Sequence, residues 1–476
     1  MIWRVFLYIS FAFVAVSISA QTLNSLYFLD EWSLRHRSNA AFAPEFGYVS
    51  IPFLGSSQFS LSSNIGLSDV VFPYEDGFVT FMHPSVDENS FLSGIHKDNY
   101  FSQESNNNFI SVGFWGSNSG FWTFSMSLKE QLIMNAPYDL FHLAKVGMKG
   151  VANHYDLTNL YMKNTYYGEL SIGYSQDVDE QFRLGGKVKL IAGLVSTNIN
   201  YSQFDVDLSQ QEWRSDAKGE MMLNSRVFRF NKDADGYLKF DDYNFNINSF
   251  KPSGNGIALD FGTTYKANDA LTLGLSFSDL GFITWRRNSW QRGVVNGSFS
   301  FKGFQNVDLA NVNLTSQVET LKNDAMTLVK FKEEEGNDEY KLQELPATWN
   351  LSAEYSFLQN HDRDVTAGLL WNSRYIENRL FTELLGALTL KPYYWLTSSL
   401  TYSIASNKPN TLGFAINFSP KWINLFIASD GINTRLSKQY LPINPFYTSI
   451  QAGITIPLSK NVKYKEKNQS DYYHRR

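Results

Sequence analysis

The sequence predicts an all-β protein: a single transmembrane antiparallel β-barrel of about fourteen strands with long extracellular loops. Three observations predict it. Large apolar residues recur at every second position, as in Ile257, Leu259, Phe261 and then Leu271, Leu273, Leu275, Phe277, while Ala258, Asp260, Gly262, Thr272, Gly274 and Ser276 fill the alternate places. That period belongs to strands with one apolar face. The connections alternate strictly between short turns and longer loops, the asymmetry of an outer-membrane barrel. After residue 20 no apolar run is long enough for a transmembrane helix, and the mean hydropathy is −0.27. Alternating strands average out in that measure, so it does not argue against a barrel. A soluble β-sandwich or propeller would also hide an apolar face, but neither demands that connections alternate in length.

The elements follow in chain order through 476 residues. Met1-Ile-Trp-Arg4 is a short basic start, Val5 to Ile18 is apolar, and Ser19-Ala20 precede Gln21. Residues 1–20 therefore read as a cleaved secretory signal peptide. An uncleaved anchor is the alternative, with a run short for a membrane span. Residues 21–56 carry Phe28, Trp32, Phe42, Phe46 and Tyr48. The strands are expected at 57–67, 107–115, 121–130, 165–175, 182–195, 256–265, 271–278, 348–357, 364–373, 379–390, 395–404, 411–418, 422–430 and 447–458. Their even number puts both ends of the wall on the periplasmic side. A polar tail, 459–476, follows. About eight strands suffice for an interior filled by side chains alone. Fourteen enclose more, so the lumen is plugged or open, and residues 21–56 are long enough to plug it.

Two long loops carry helix signals. Residues 134–147 place Pro137 near a start and Gly147 at a stop, with Leu140, Phe141, Leu143 and Ala144 between. Ser316 and Glu319 have capping-box spacing, followed by Leu321, Ala325 and Leu328. The charged stretch 330–341 reads as a solvated segment.

The formal net charge is −5, which carries no nucleic-acid footprint, and there is no Cys. None of the seven histidines has metal-ligand spacing to another, and no nucleophile-elbow, zinc-protease or phosphate-loop motif occurs. A barrel hydrolase, with its triad spread over several strands, stays open as a minor alternative. The sharpest local pattern is NKDADGYLKFDD (231–242). Asn231, Asp233, Asp235 and Asp242 occupy calcium-loop positions one, three, five and twelve, with Gly236 at six. Asn at position one and Asp at twelve depart from that template. The flanking residues look like strands, so the same segment also reads as a hairpin with an Asp-Gly turn. On the small polar faces of the strands lie Arg183, Lys187, Lys189, Asp260 and Glu383. In a barrel these point inward.

The stretch LYFLDEWSLRHRSNAAFAPEFGYVSIPFLG (26–55), with SFSDLGFITW (276–285), LPATWNLSAEYSF (345–357) and TSIQAGITIPL (448–458), resembles a domain-of-unknown-function family of Gram-negative outer-membrane barrels. That family looks like a distant relative of the long-chain fatty acid transporter barrels and of the accessory barrels of type IX secretion. The resemblance implies a fourteen-stranded wall and an N-terminal hatch folded into the lumen. In such barrels an Asn-Pro-Ala sequence marks the hatch. Here the corresponding residues are Asn39-Ala40-Ala41, followed by Phe42, so the proline of the tight turn is missing.

The expected function is a non-enzymatic outer-membrane barrel that binds or passes small hydrophobic molecules through a plugged lumen. The alternative is a barrel that docks a partner protein in surface secretion or envelope assembly. Lumen and plug candidates are Asn39, Ala41, Phe42, Phe46, Tyr48, Asp260, Glu383, Arg183 and Lys187. One residue conflicts with the pattern: Asp279 shares parity with the lipid face. Either the strand has left the membrane there, or a bulge at Asp279–Leu280 turns it inward.

Overall fold

A computed structural model describes residues 24–75, 77–116, 120–246, 251–304, 313–334, 340–358, 364–376, 379–406, 410–433 and 446–460. The expected signal peptide, 1–20, and residues 461–476 of the expected tail lie outside these. Fourteen strands form a closed antiparallel ring. They are β1 (Ser56–Ser63), β2 (Asp98–Trp115), β3 (Phe121–Pro137), β4 (Tyr161–Asp177), β5 (Phe182–Ser209), β6 (Gly254–Lys266) and β7 (Leu271–Trp285). The second half comprises β8 (Ala347–Ser356), β9 (Asp364–Ile376), β10 (Arg379–Tyr393), β11 (Leu396–Ala405), β12 (Thr411–Phe418), β13 (Asn424–Asn433) and β14 (Phe446–Lys460). Each strand pairs with the next, and β14 returns to β1, with Ser57 opposite Ala452 and Ser63 opposite Phe446.

The wall is inside-out. Ile257, Phe261, Leu273, Leu275 and Phe277 are 38–52% exposed, whereas Ala258 and Ser276 are fully buried and Asp260 nearly so. The outward band continues through Leu351, Leu369, Trp371, Leu388, Leu400 and Ile450. An apolar surface of that extent is one that a bilayer covers. At the short-turn end aromatic rings gather in pairs, Trp122 with Tyr174 and Phe182 with Tyr265, each 4.6 Å between centroids. Such girdles mark a membrane interface.

All fourteen expected strands are present, but β2 to β5 run further at the long-loop end than alternation alone indicated. The segment Gln103–Asn108 is polar on both faces, so no period-two signal survives there. The long connections also hold strands of their own. Trp213–Ser225 pairs with the extended end of β5 and with Trp290–Phe301. The resulting outer sheet closes on an apolar cluster that includes Met162, Ile199, Phe204, Met221, Phe230 and Phe331. The helix at Tyr138–Val146 starts after Pro137 and stops at Gly147, which has φ +60°, as read from the sequence. The second helix spans Asn313–Met326, so Ser316 lies inside it rather than capping it.

The wall begins earlier than expected. Phe46–Ser50, assigned to the plug, is a strand that pairs with β14 and β2. A break at 51–55 separates it from β1. There Phe53 takes φ +65° and is 70% exposed. Phe46 therefore belongs to a wall strand rather than to the plug, and it lines a recess beside Glu31. Tyr48, on the same short strand, does face inward and is fully buried.

Candidate functional site: the plugged lumen

Residues 24–45 fill the interior. Leu26, Leu29, Trp32, Leu34 and Ala41 have no exposed surface. Their partners come from strands all round the ring. Asn24 donates its backbone N–H to Asp430 and its amide to Glu383, both at 2.8 Å. The Tyr27 hydroxyl meets Ser352 Oγ at 2.9 Å, and Arg35 reaches Glu354 at 2.6 Å. The Arg35 guanidinium also lies 4.0 Å from the Phe42 ring centre. A segment with contacts on so many strands sits in the lumen.

Asn39 is the centre of the plug's tight turn. Phe42 N–H donates to the Asn39 carbonyl and Ala41 N–H to Asn39 Oδ1, both at 2.9 Å. Asn39 Nδ2 bonds the carbonyls of Thr263 and Leu275 on the wall. The side-chain turn thus stands in for the missing proline. The wall receives it on two glycines that face each other across β5 and β6, Gly185 and Gly262. A Cβ on Gly262 would lie 2.0 Å from Asn39 Oδ1, and one on Gly185 2.1 Å from the Ala40 carbonyl. Arg183 adds a bond from Nε to the Ala41 carbonyl at 2.9 Å. The small face of the β6–β7 hairpin is small because the plug turn rests on it.

Above the turn lies a layer of charge. Lys189 Nζ is 2.7 Å from both Asp260 Oδ1 and Asp279 Oδ1. Lys129 Nζ is 2.7 Å from Glu169 and 3.2 Å from Asp279. Asp279 reaches the layer through a bulge. Leu259 pairs with Leu280 and Phe261 with Phe277, leaving Asp260 opposite two residues. Asp279 takes φ +59° and gives its N–H to Asp260 Oδ1 at 2.8 Å. The inward-bulge alternative is the one adopted. Lys187 donates to His36 of the plug at Nδ1, 2.9 Å, and the other ring nitrogen meets the Tyr48 hydroxyl. Burial, then the Lys187 charge, holds the His36 imidazole well below its ordinary value. The ring is thus neutral, accepting at Nδ1 and donating at Nε2.

Among the described residues three spaces lie along the lumen, two of them against the plug. A chamber of about 130 Å³ has Asn24, Tyr27, Arg37 and Ser38 as its floor. Five cationic and five acidic side chains line it, so it favours neither sign of small ion. A more apolar vestibule of about 110 Å³ lies toward the long-loop end, against Tyr100, Ile133, Tyr161, Ile376, Phe381 and Tyr447. A recess of about 440 Å³ at the short-turn end touches Glu31, Phe46, Lys391 and Tyr394.

The candidate residues thus fall into separate places. Asn39, Ala41, Phe42 and Arg183 meet at the plug turn, Lys187 and Asp260 join the charge layer, and Glu383 anchors Asn24. Lys129, Glu169, Glu104 and Arg374 were not singled out from the sequence. Parity relative to Leu128, Leu170 and Trp371 marks Lys129, Glu169 and Arg374 as inward, whereas Glu104 shares parity with the outward Ile110 and reaches the lumen only through the bulge between Asn108 and Ile110. The calcium-loop candidates form a hairpin, Phe228–Lys232 against Leu238–Phe245. Asn231 and Lys239 occupy the two carboxylate oxygens of Asp242, at 2.6 and 2.8 Å, and Asp233 Oδ1 accepts from the backbone of Asp235 and Tyr237. Among the described residues no group of three or more acids or histidines is arranged to hold a metal ion.

Solved structures similar to this chain include the toluene transporter TodX of Pseudomonas putida, at 12% identity and TM-score 0.40, covering 89% of this chain and 92% of that one. A Pseudomonas aeruginosa FadL homologue matches at 10% identity and TM-score 0.41, covering 93% and 98%. The Ralstonia pickettii toluene transporter TbuX matches at 8% and 0.42, covering 91% and 100%. Likeness at this level carries no statement about what this lumen admits. No curated protein sequence matches the chain. The model of a family of unknown function (DUF5723) matches residues 40–430, from the plug turn to β13, and the chain belongs to that family.

Proposed function

We propose that this is a gated barrel of a Gram-negative outer membrane. It takes up a small amphiphilic molecule at the long-loop end and holds it above the plug, which is the gate. The long loops then face outward and both ends of the wall face the periplasm. The observation that carries the reading is the order of spaces along the axis. An apolar vestibule opens over a polar chamber, the chamber is floored by the plug, and a recess lies beyond it. An apolar tail suits the first space and a polar end the second. Each of these two volumes is smaller than the roughly 300–1,000 Å³ of an ordinary ligand pocket. The occupant of the closed state is correspondingly small.

The test is native mass spectrometry of the purified protein, followed by uptake of the identified molecule into proteoliposomes. A bound single-chain amphiphile, and uptake that changes when residues 24–45 are deleted, support the reading. An empty lumen with uptake no faster than in protein-free vesicles rejects it.

A second reading, a barrel that docks an envelope or secretion partner, draws support from the plug itself. Its side chains are packed as completely as a protein core, with Leu26, Trp32 and Leu34 at 0% exposure. Gentle extraction as a stoichiometric complex, with nothing bound inside, favours that reading.

A further inference from the structure

We propose that Glu104 and Arg374 form a second closure of the lumen, distinct from the plug and lying between vestibule and chamber. The inference rests on the gated-lumen reading, because it assigns how the same chamber is shut from the other side. Glu104 is on β2 and Arg374 on β9. Counted round the fourteen-stranded ring, these strands are seven apart in either direction, so they are opposite walls. Yet Arg374 Nη1 lies 2.6 Å from both carboxylate oxygens of Glu104. The combined reach of the two side chains is short against the width of such a ring, so the wall is drawn in at this level. The pair crosses the lumen where the two spaces meet, since both residues line the vestibule and the chamber alike. Their side chains are 12% and 13% exposed, wetted enough to separate without stranding a dry charge. The other wall-to-wall ion pairs described in the lumen do not span the diameter. Lys189–Asp260 joins adjacent strands, and Lys129–Asp279 strands four apart. The plug blocks the axis with packed aromatic and aliphatic side chains. Glu104 and Arg374 close it with a charge-assisted contact that salt or an entering polar group weakens.

The chain has no native Cys, so a single reporter thiol has no background. Ser125 lines the chamber. Ser125→Cys protein in vesicles is labelled from the long-loop side with a membrane-impermeant methanethiosulfonate. Slow labelling of the parent is expected, at least tenfold faster labelling in Glu104→Ala and in Arg374→Ala, and slow labelling again in the Glu104→Arg/Arg374→Glu exchange. In the parent, 1 M salt should speed labelling. The salt response and the exchange keep the test decisive if an alanine variant does not fold. Fast labelling of the parent, equal rates in all variants, or a parent indifferent to salt would overturn the proposal. No transported molecule enters the measurement. Failure of the uptake experiment therefore leaves this result standing, and the reverse also holds.

Discussion

At the scale of single residues, Gly262 and Gly185 make the sharpest demand. Neither has a positive φ, so it is space and not backbone freedom that requires glycine. Gly262→Val drives a side chain into Asn39. Overpacking of that kind costs about 1–3 kcal/mol. The expected outcome is a lower melting temperature in detergent, with faster hydrogen exchange confined to residues 24–45. A wall that melts lower with an unchanged plug would contradict the placement of the turn. His36 gives a second prediction, and its sign follows from proton linkage. An imidazole held below its ordinary value in the folded plug takes up a proton more readily once the plug is released. Stability of the plug is therefore full above the ordinary imidazole range, near about 6.5, and falls as pH drops through it. Protection factors of residues 24–45, taken relative to the intrinsic exchange rate at each pH, should fall between pH 7.5 and pH 5, and His36→Gln should flatten that dependence.

At the scale of elements, legibility follows the solvent. Inside the bilayer each outward position must be apolar, so the period-two signal is forced and all fourteen wall strands could be read. Past the bilayer both faces are wet, as in Gln103–Asn108, and the same strands continue without a signal. Asp279 shows the limit from within the membrane. Parity exposed the conflict, but only the register of Asp260 against two residues shows the bulge that resolves it. The parity of Lys129, Glu169 and Arg374 was likewise readable, while that of Glu104, in the two-faced polar segment beyond a bulge, was not. Which of them meet across the lumen was not, because that depends on how far the ring is drawn in. The hairpin at 228–245 illustrates a template matched by spacing but not by convergence. Its Asn and Asp side chains bond one another, Lys239 and the local backbone. Adding millimolar calcium is expected to leave the melting temperature unchanged, and a rise of several degrees would restore the metal reading.

At the scale of the molecule, stability depends on a boundary between lipid and wet interior rather than on one hydrophobic core. Apolar side chains outside and charges inside are each favourable only on their own side. Leu275, 39% exposed in the outward band, tests this. Leu275→Arg should cost about 2–4 kcal/mol in a bilayer if the residue lies near the midplane. Refolding titrations into vesicles would read that loss directly. A neutral result would mean that the band of exposed apolar residues is not the lipid-facing surface.

The broken first strand has a consequence for biogenesis. Ala43, Pro44 and Glu45 are all that separate the plug turn from Phe46–Ser50, and that short strand pairs with β14, the last of the described strands. The seam therefore zips onto a segment whose upstream neighbour already belongs indoors. A stopper that enters while the seam is open needs no free end threaded through a finished ring. On that order of events, sealing the hoop and corking it would be a single act of assembly, and a half-built wall would also be an uncorked one.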